Sequence, residues 1–262
     1  MAAHVSSTSG VAESGRGLGA WARLRRDTPW WLYPLTVVVV LGAFTGYSLW
    51  TSFFGPGPDH VSQHANYLSP FFSPLLWSTG PVTPALWVLW APLGFRATCY
   101  YYRKSYYRSF FWDPPACAVG ELRRRAYRGE TRLPMVLNNL HRFFWYPALL
   151  VVIFLWVDAF ASLDDNGHLY LGLGTLILLV NAVLLSGYSL GCHAFRHIAG
   201  GGLDCYSCSR AGTTRFRLWR GVTVFNEHHA FWAWISMFSV VFAEVYVRLL
   251  QAGMADPHII FT

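Results

Sequence analysis

Two stretches of the chain are apolar from end to end: Trp30 to Phe54 and Leu169 to Phe195 contain no Asp, Glu, Lys or Arg. A helix needs ~20 predominantly apolar residues to cross ~30 Å of hydrocarbon, and both runs meet that length. Three further segments qualify with isolated polar or charged residues. Leu75 to Tyr102 carries Arg96 with Arg103 at its end, Asn139 to Ala161 carries His141, Arg142 and Asp158, and Asn226 to Leu250 carries Glu244. All of these except Arg96 fall near a predicted helix end. The pattern predicts an all-α integral membrane protein. Its core is a bundle of five transmembrane helices at 30–54, 75–102, 139–161, 169–198 and 226–250, forming one domain over 30–251, with tails at 1–29 and 252–262.

The polar connections orient this bundle, because basic residues accumulate on the cytoplasmic side. Residues 1–29 hold Arg16, Arg23, Arg25 and Arg26, whereas the 55–83 connection holds no Lys or Arg. The 103–137 loop holds Arg103, Lys104, Arg108, Arg123, Arg124, Arg125, Arg128 and Arg132. The 162–168 connection holds none, and 196–225 holds Arg196, Arg210, Arg215, Arg217 and Arg220. Five spans with a cytoplasmic N-terminus fit this alternation, in a multi-pass protein of the inner or plasma membrane. Trp30, Trp31, Trp77, Tyr100 to Tyr102, Trp145, Tyr146 and Trp219 lie near the predicted ends, as interfacial aromatic belts require.

Composition agrees with lipid as solvent: 54% of the 262 residues are hydrophobic and 13% charged, against roughly a quarter charged in soluble chains. The Ser/Gly/Ala-rich start, Met1 to Gly19, cannot bury a core and is expected to be disordered. The first long apolar run follows 29 mostly polar residues, so it reads as a retained span rather than a cleaved signal. The net charge of +7 is spread over the connections and forms no nucleic-acid-binding module, so no nucleic-acid partner is expected. The longest polar loop, 103–137, has 35 residues, too few for an independent flavin or nucleotide domain. Chemistry on a water-soluble substrate must therefore come from a partner.

The candidate chemistry gathers at the predicted cytoplasmic end, where His141, His193, His197, Cys205, Cys208, His228 and His229 all fall. His193 and His197 stand at i and i+4, on one helix face. Gly200, Gly201 and Gly202 then end that helix, and Cys205-x-x-Cys208 follows as a knuckle whose two thiolates can share a metal. Thiols on the cytoplasmic side are expected to stay reduced. Cys99 and Cys192 read as apolar packing residues. His60 and His64 lie outside and read as solvated.

Three centres match this inventory. A haem b needs one His from each of two helices, which leaves one inner haem between His141 or His193 and His229, since the first two predicted spans contain no His. A structural zinc accepts Cys2His2 in a non-redox membrane protein. A Rieske-type [2Fe-2S] centre, with two Cys on one iron and two His on the other, also fits.

The five-span plan, Cys192-His193-x3-His197, the glycine run before Asp204-Cys205-x-x-Cys208, and Asn226-Glu227-His228-His229 opening an aromatic-rich last helix resemble the membrane-anchor subunit of actinobacterial succinate dehydrogenases over about residues 25–255. The resemblance implies a haem-free anchor with a membrane-embedded Rieske-type [2Fe-2S] cluster beside a quinone site. It further implies flavoprotein and iron–sulfur partner subunits, a surrounding of lipid, and room for a higher oligomer of the complex. Electrons from succinate would reach menaquinone or ubiquinone through this chain. Cys205 and Cys208 are the first thiolate assignment, with His193 and His197 as histidines and His229 and His141 as alternates.

A quinone pocket needs an apolar slot with a hydrogen-bond donor and a proton source. Asn139, Arg142, His228 and Trp232 stand at the right depth to supply them. Arg123, Arg124 and Arg125 are the candidate docking residues on the inner face. Arg96 is costly in lipid and should face the bundle interior with a partner, whereas Glu244 reads as a solvated or snorkelling group near the outer end.

Overall fold

The computed structural model describes residues 29, 31–55, 61–75, 83–110, 131, 133, 135–165 and 167–260. The tail up to residue 28, His60, Trp30, Trp77 and Arg123 to Arg125 lie outside the described residues. Helix α1, Leu32–Phe54, stops at Gly55, which has φ +63 and donates its N–H to Thr51 O. That left-handed conformation suits a residue without Cβ. A short antiparallel hairpin, β1 (Gln63–His64) and β2 (Tyr67–Leu68), follows. Helix α2, Pro84–Thr98, begins with proline in its first turn, where the missing N–H costs nothing. Thr83 ties it to the end of α1 through hydrogen bonds from Oγ1 to Ser52 O (2.8 Å) and Thr51 O (3.2 Å).

Cys99 takes an extended conformation (ψ 130) and separates α2 from α3, Tyr100–Phe110. The expected continuous span at 75–102 is therefore a 15-residue helix with Pro92 inside it, then a break, then a basic and tyrosine-rich helix. Fifteen residues reach only about 22 Å. Among the described residues four helical segments are long and apolar enough to cross a membrane, Leu32–Phe54, Val136–Ala161, Leu173–Leu190 and His229–Gln251, where the pattern predicted five.

A 3-10 turn, Met135–Leu140, leads into α4, His141–Ala161. The next predicted span, 169–198, is split. Its start is strand β4 (His168–Gly172), held between β3 (Asp164–Asp165) and β5 (His258–Ile260) in an antiparallel sheet. Helix α5 covers Leu173–Leu190, and the chain then breaks at Gly191 and Cys192 before the short α6, His193–Arg196, and a π-helical turn, His197–Gly201. The predicted 196–225 loop contains a 16-residue helix, α7 (Gly212–Glu227), missed because its polar and basic residues outweighed its helical periodicity. His228 bends the chain into α8, His229–Gln251.

The helices pack as a bundle around buried apolar clusters, with apolar side chains also on its outer surface. α5 lies between α4 and α8, α2 packs on α4, and α1 on α2 and α3. Leu150, Ile153, Val157 and Phe160 form a stripe on α4 that is more than half exposed, as a lipid-facing surface should be. Lipid offers no hydrophobic drive between helices, so close approach and polar contacts hold them. Gly187 of α5 is an instance: a Cβ there would lie 2.6 Å from the Trp232 ring of α8.

Two buried arginine and glutamate sites test the sequence reading. Arg96 faces the bundle interior as expected, donating to Tyr102 Oη, Ala233 O and Ser236 Oγ. Glu244 departs from expectation. It is fully buried and paired with Arg248 one turn on, and it accepts hydrogen bonds from Ser69 and Tyr47. The partner supplied four residues later is what allows the carboxylate to leave solvent.

Candidate functional site

Four interruptions of helical structure meet at one end of the bundle. They are the break at Cys99, the start of α4 at His141, the break at Cys192 and the start of α8 at His229. Cys192 is extended (ψ 146), and its Sγ accepts the Ala194 N–H at 3.3 Å as an N-cap for α6. The preceding Gly191 lies against the end of α7: a Cβ would stand 3.0 Å from Phe225 O, and Gly191 O accepts the Asn226 side-chain N–H at 2.8 Å. This close approach leaves the Cys192 thiol facing the core.

Each buried thiol meets a buried imidazole. His141 Nε2 lies 3.0 Å from Cys192 Sγ, and His229 Nε2 lies 3.7 Å from Cys99 Sγ. All four residues are less than 10% exposed. The imidazoles are held by ring stacking: His141 on Phe95 at 4.6 Å, His229 on Tyr188 at 5.0 Å. Thr98 Oγ1 stands 3.2 Å from His141 Nδ1, so the ring's second nitrogen also has a partner. Among the described residues His229 Nδ1 is buried with no hydrogen-bond partner. An orphaned buried donor or acceptor costs about 1–3 kcal/mol.

The residues singled out from the sequence distribute differently. Cys205 and Cys208 are joined by a disulfide, with Cα atoms 5.4 Å apart, where free thiols were expected. The tight turn after the glycine run brings the two side chains within bonding reach. His193 and His197 are exposed, and with Asn139, Arg142 and His141 they line a cavity of about 500 Å³. His228 sits at the α7–α8 bend with Nδ1 3.1 Å from Val224 O, and Trp232 packs over Gly187; neither lines that cavity. A second, more apolar cavity of about 660 Å³ opens between α1 and the α2–α3 break, with Arg96, Thr98, Tyr102 and Asn138 among its polar lining residues. Asn138 is fixed there by donating to Thr98 O at 2.8 Å.

Among the described residues no three His, Cys, Asp or Glu side chains converge as around a single metal ion. A two-iron cluster asks for something else, two ligands on each iron from a Cys2His2 set. Cys205 and Cys208 are bonded to each other in this structure. Cys99, Cys192, His141 and His229 match the donor set in kind, are free of disulfides, and lie in or against one buried core. A haem between His141 and His229 is the poorer fit. Phe95 and Tyr188, both nearly fully buried, stack on the two imidazoles and touch each other at 5.2 Å, and a porphyrin would have to displace them.

None of the three polar features that distinguish this end was named as a functional group at the sequence level: the thiols of Cys99 and Cys192 and the hydroxyl of Tyr102. The local sequence gives little sign of them: Cys192 precedes His193, and Cys99 and Tyr102 lie between Arg96 and Arg103.

No curated protein matches the chain. One chain of the Mycobacterium smegmatis Sdh1 complex in the apo form superposes with a TM-score of 0.78 at 33% identity, covering 90% of this chain and 93% of that one. The family described as actinobacterial succinate dehydrogenase subunit SdhC matches residues 32–253. With its apolar helices and this span of agreement, the chain belongs to the SdhC family, the membrane subunit of actinobacterial succinate dehydrogenase, a complex II member.

Proposed function

We propose that the chain is the electron-transfer anchor of a succinate:quinone oxidoreductase, docked to the flavoprotein and iron–sulfur subunits, and that Cys99, Cys192, His141 and His229 hold a Rieske-type [2Fe-2S] centre. The observation that carries this reading is the pairing of two buried free thiols with two buried imidazoles at one end of a membrane bundle. Such a centre, when bound, supplies one-electron transfer between the soluble subunits and quinone.

The chain's own residues do the rest. Phe95 and Tyr188 fix the imidazole planes, and Thr98 orients His141 through Nδ1. The neighbouring apolar slot between α1 and the α2–α3 break suits a menaquinone or ubiquinone ring, with Tyr102 and Asn138 as polar groups at its wall. The more polar cavity lined by Asn139, Arg142 and His193 gives protons a route from water towards this end. Reduction of a quinone takes two electrons and two protons, so both an electron source and a wet path are needed.

The test is low-temperature electron paramagnetic resonance of the intact complex, with signals of the partner subunits' clusters subtracted. Cys99→Ser and Cys192→Ser are expected to abolish a Rieske-type signal that Cys205→Ser and Cys208→Ser leave in place. Loss only in the second pair returns the thiolate role to Cys205 and Cys208. Stoichiometric haem b that survives all four changes sinks the cluster reading, and zinc alone leaves only an anchor.

A further inference from the structure

Arg96 is 7% exposed and lies inside the bundle, yet its hydrogen bonds and ring contacts among the described residues are to neutral groups. Its guanidinium donates to Tyr102 Oη at 2.7 Å, Ala233 O at 3.1 Å and Ser236 Oγ at 3.0 Å, and sits 4.7 Å from the Tyr188 ring centroid. Among the described residues no carboxylate meets it. The contrast within the same bundle is Arg248, whose charge is answered by Glu244. A buried cation without a counter-charge is destabilising, and that cost is offset where a negative charge stands or arises nearby.

The groups within its field are those of the redox site. Cys99 lies three residues beyond Arg96 and donates its backbone N–H to Arg96 O at 3.2 Å. The Tyr188 ring meets the guanidinium at 4.7 Å from its centroid and stacks on the His229 ring at 5.0 Å. Resting on the reading that these residues hold a two-iron centre, we propose that Arg96 is the internal counter-ion of that centre: it stabilises the negative charge added when one electron arrives from the iron–sulfur subunit, and so raises the midpoint potential. The charge change it would answer is the one electron that the centre, when bound, would gain from a donor oxidised by one electron in the iron–sulfur subunit. Net charge near a cluster is one of the levers that set its potential. Arg96 is thus a positioning and tuning residue, acting through field rather than by ligation.

The experiment is a redox titration of the centre by electron paramagnetic resonance in the intact complex. Arg96→Gln is expected to keep the spectrum and lower the equilibrium constant for reduction at least tenfold, which is about 59 mV for one electron. Arg96→Lys should keep most of the wild-type potential. Ser236→Asp provides a second arm that leaves the arginine in place: a carboxylate at the 3.0 Å contact should cancel its field and lower the potential in the same direction, while Ser236→Ala should not. An assembled Arg96→Gln or Ser236→Asp complex whose midpoint is unmoved overturns the proposal, as does an equal drop in Arg96→Lys. A wild-type complex with no such signal at all is a failure of the cluster reading instead, and is distinguished from these by the absence of anything to titrate.

Discussion

His141 Nε2 and Cys192 Sγ meet at 3.0 Å across two helix ends that are 51 residues apart in sequence. The contact exists because α5 breaks at Gly191 just where α4 begins, and because Thr98 holds the far side of the same ring. The site is thus assembled from interruptions in helices rather than from their regular faces.

Thr98 is accordingly a test of orientation separate from ligation. Thr98→Val keeps the shape of the side chain and removes the hydroxyl that meets His141 Nδ1. Outer partners of ligating histidines are typically worth 10–100-fold in metal affinity, about 1–3 kcal/mol. The expected outcome is a complex that assembles with its partner subunits but carries less iron per SdhC chain after chelator challenge than wild type. Iron content unchanged under that challenge would assign Thr98 to packing alone.

The membrane character and most helices were legible in the sequence because a charge-free apolar run has few other uses. Arg96 was placed correctly in the interior for the same reason. What escaped was non-local. Cys99 and His229 are 130 residues apart, and only the fold brings their side chains together. The Cys205-x-x-Cys208 knuckle and the i, i+4 histidines gave strong local signals, yet the structure joins the two thiols and leaves His193 and His197 exposed. Glu244 was misread although its partner Arg248 lies in the same helix at i+4, where the spacing alone predicts a pair. The 75–102 span was drawn as one helix because hydropathy does not register a single extended residue such as Cys99.

Gly187 carries the close contact between α5 and α8. Gly187→Val would drive a side chain into the Trp232 ring, which stands 2.6 Å from the position of a Cβ. Overpacking of this kind costs about 1–3 kcal/mol, and a lower midpoint for thermal unfolding in detergent is expected. Pairing the change with Trp232→Leu should restore part of the loss. No recovery in the double variant would show that the glycine is needed for backbone reasons other than this ring.

Glu244 is fully buried and its partner Arg248 partly so, in an otherwise apolar segment. Removing only one partner leaves the other charge uncompensated, for a loss of about 3–5 kcal/mol, whereas replacing both with apolar or neutral groups of similar size is often neutral or better. Glu244→Gln is therefore expected to destabilise the detergent-solubilised complex clearly, and Glu244→Gln with Arg248→Met to recover most of it. A double variant as unstable as the single would assign the loss to the hydrogen bonds from Ser69 and Tyr47 instead.

Asp256 closes the opposite end of the bundle and makes its stability depend on pH. Its carboxylate accepts hydrogen bonds from Tyr67 Oη at 2.7 Å, Tyr170 Oη at 3.1 Å and the Gly174 N–H at 3.1 Å, and from the Tyr246 hydroxyl. Burial pushes the acid up, but these four donors outweigh it and hold the carboxyl below its ordinary value. The unfolded chain therefore takes up a proton at a higher pH than the folded one. The stabilising contribution is fully present above the ordinary carboxylate range, begins to fall near pH ~4, and is lost as pH drops through the depressed folded value. Thermal unfolding of the complex should show a midpoint that is flat near neutrality and falls on the acid side, with the acid-side fall made shallower in Asp256→Asn and the neutral midpoint lowered. An Asp256→Asn complex with the wild-type midpoint at neutral pH would mean that the three tyrosines and Gly174 are held by the sheet of β3, β4 and β5 without help from the carboxylate.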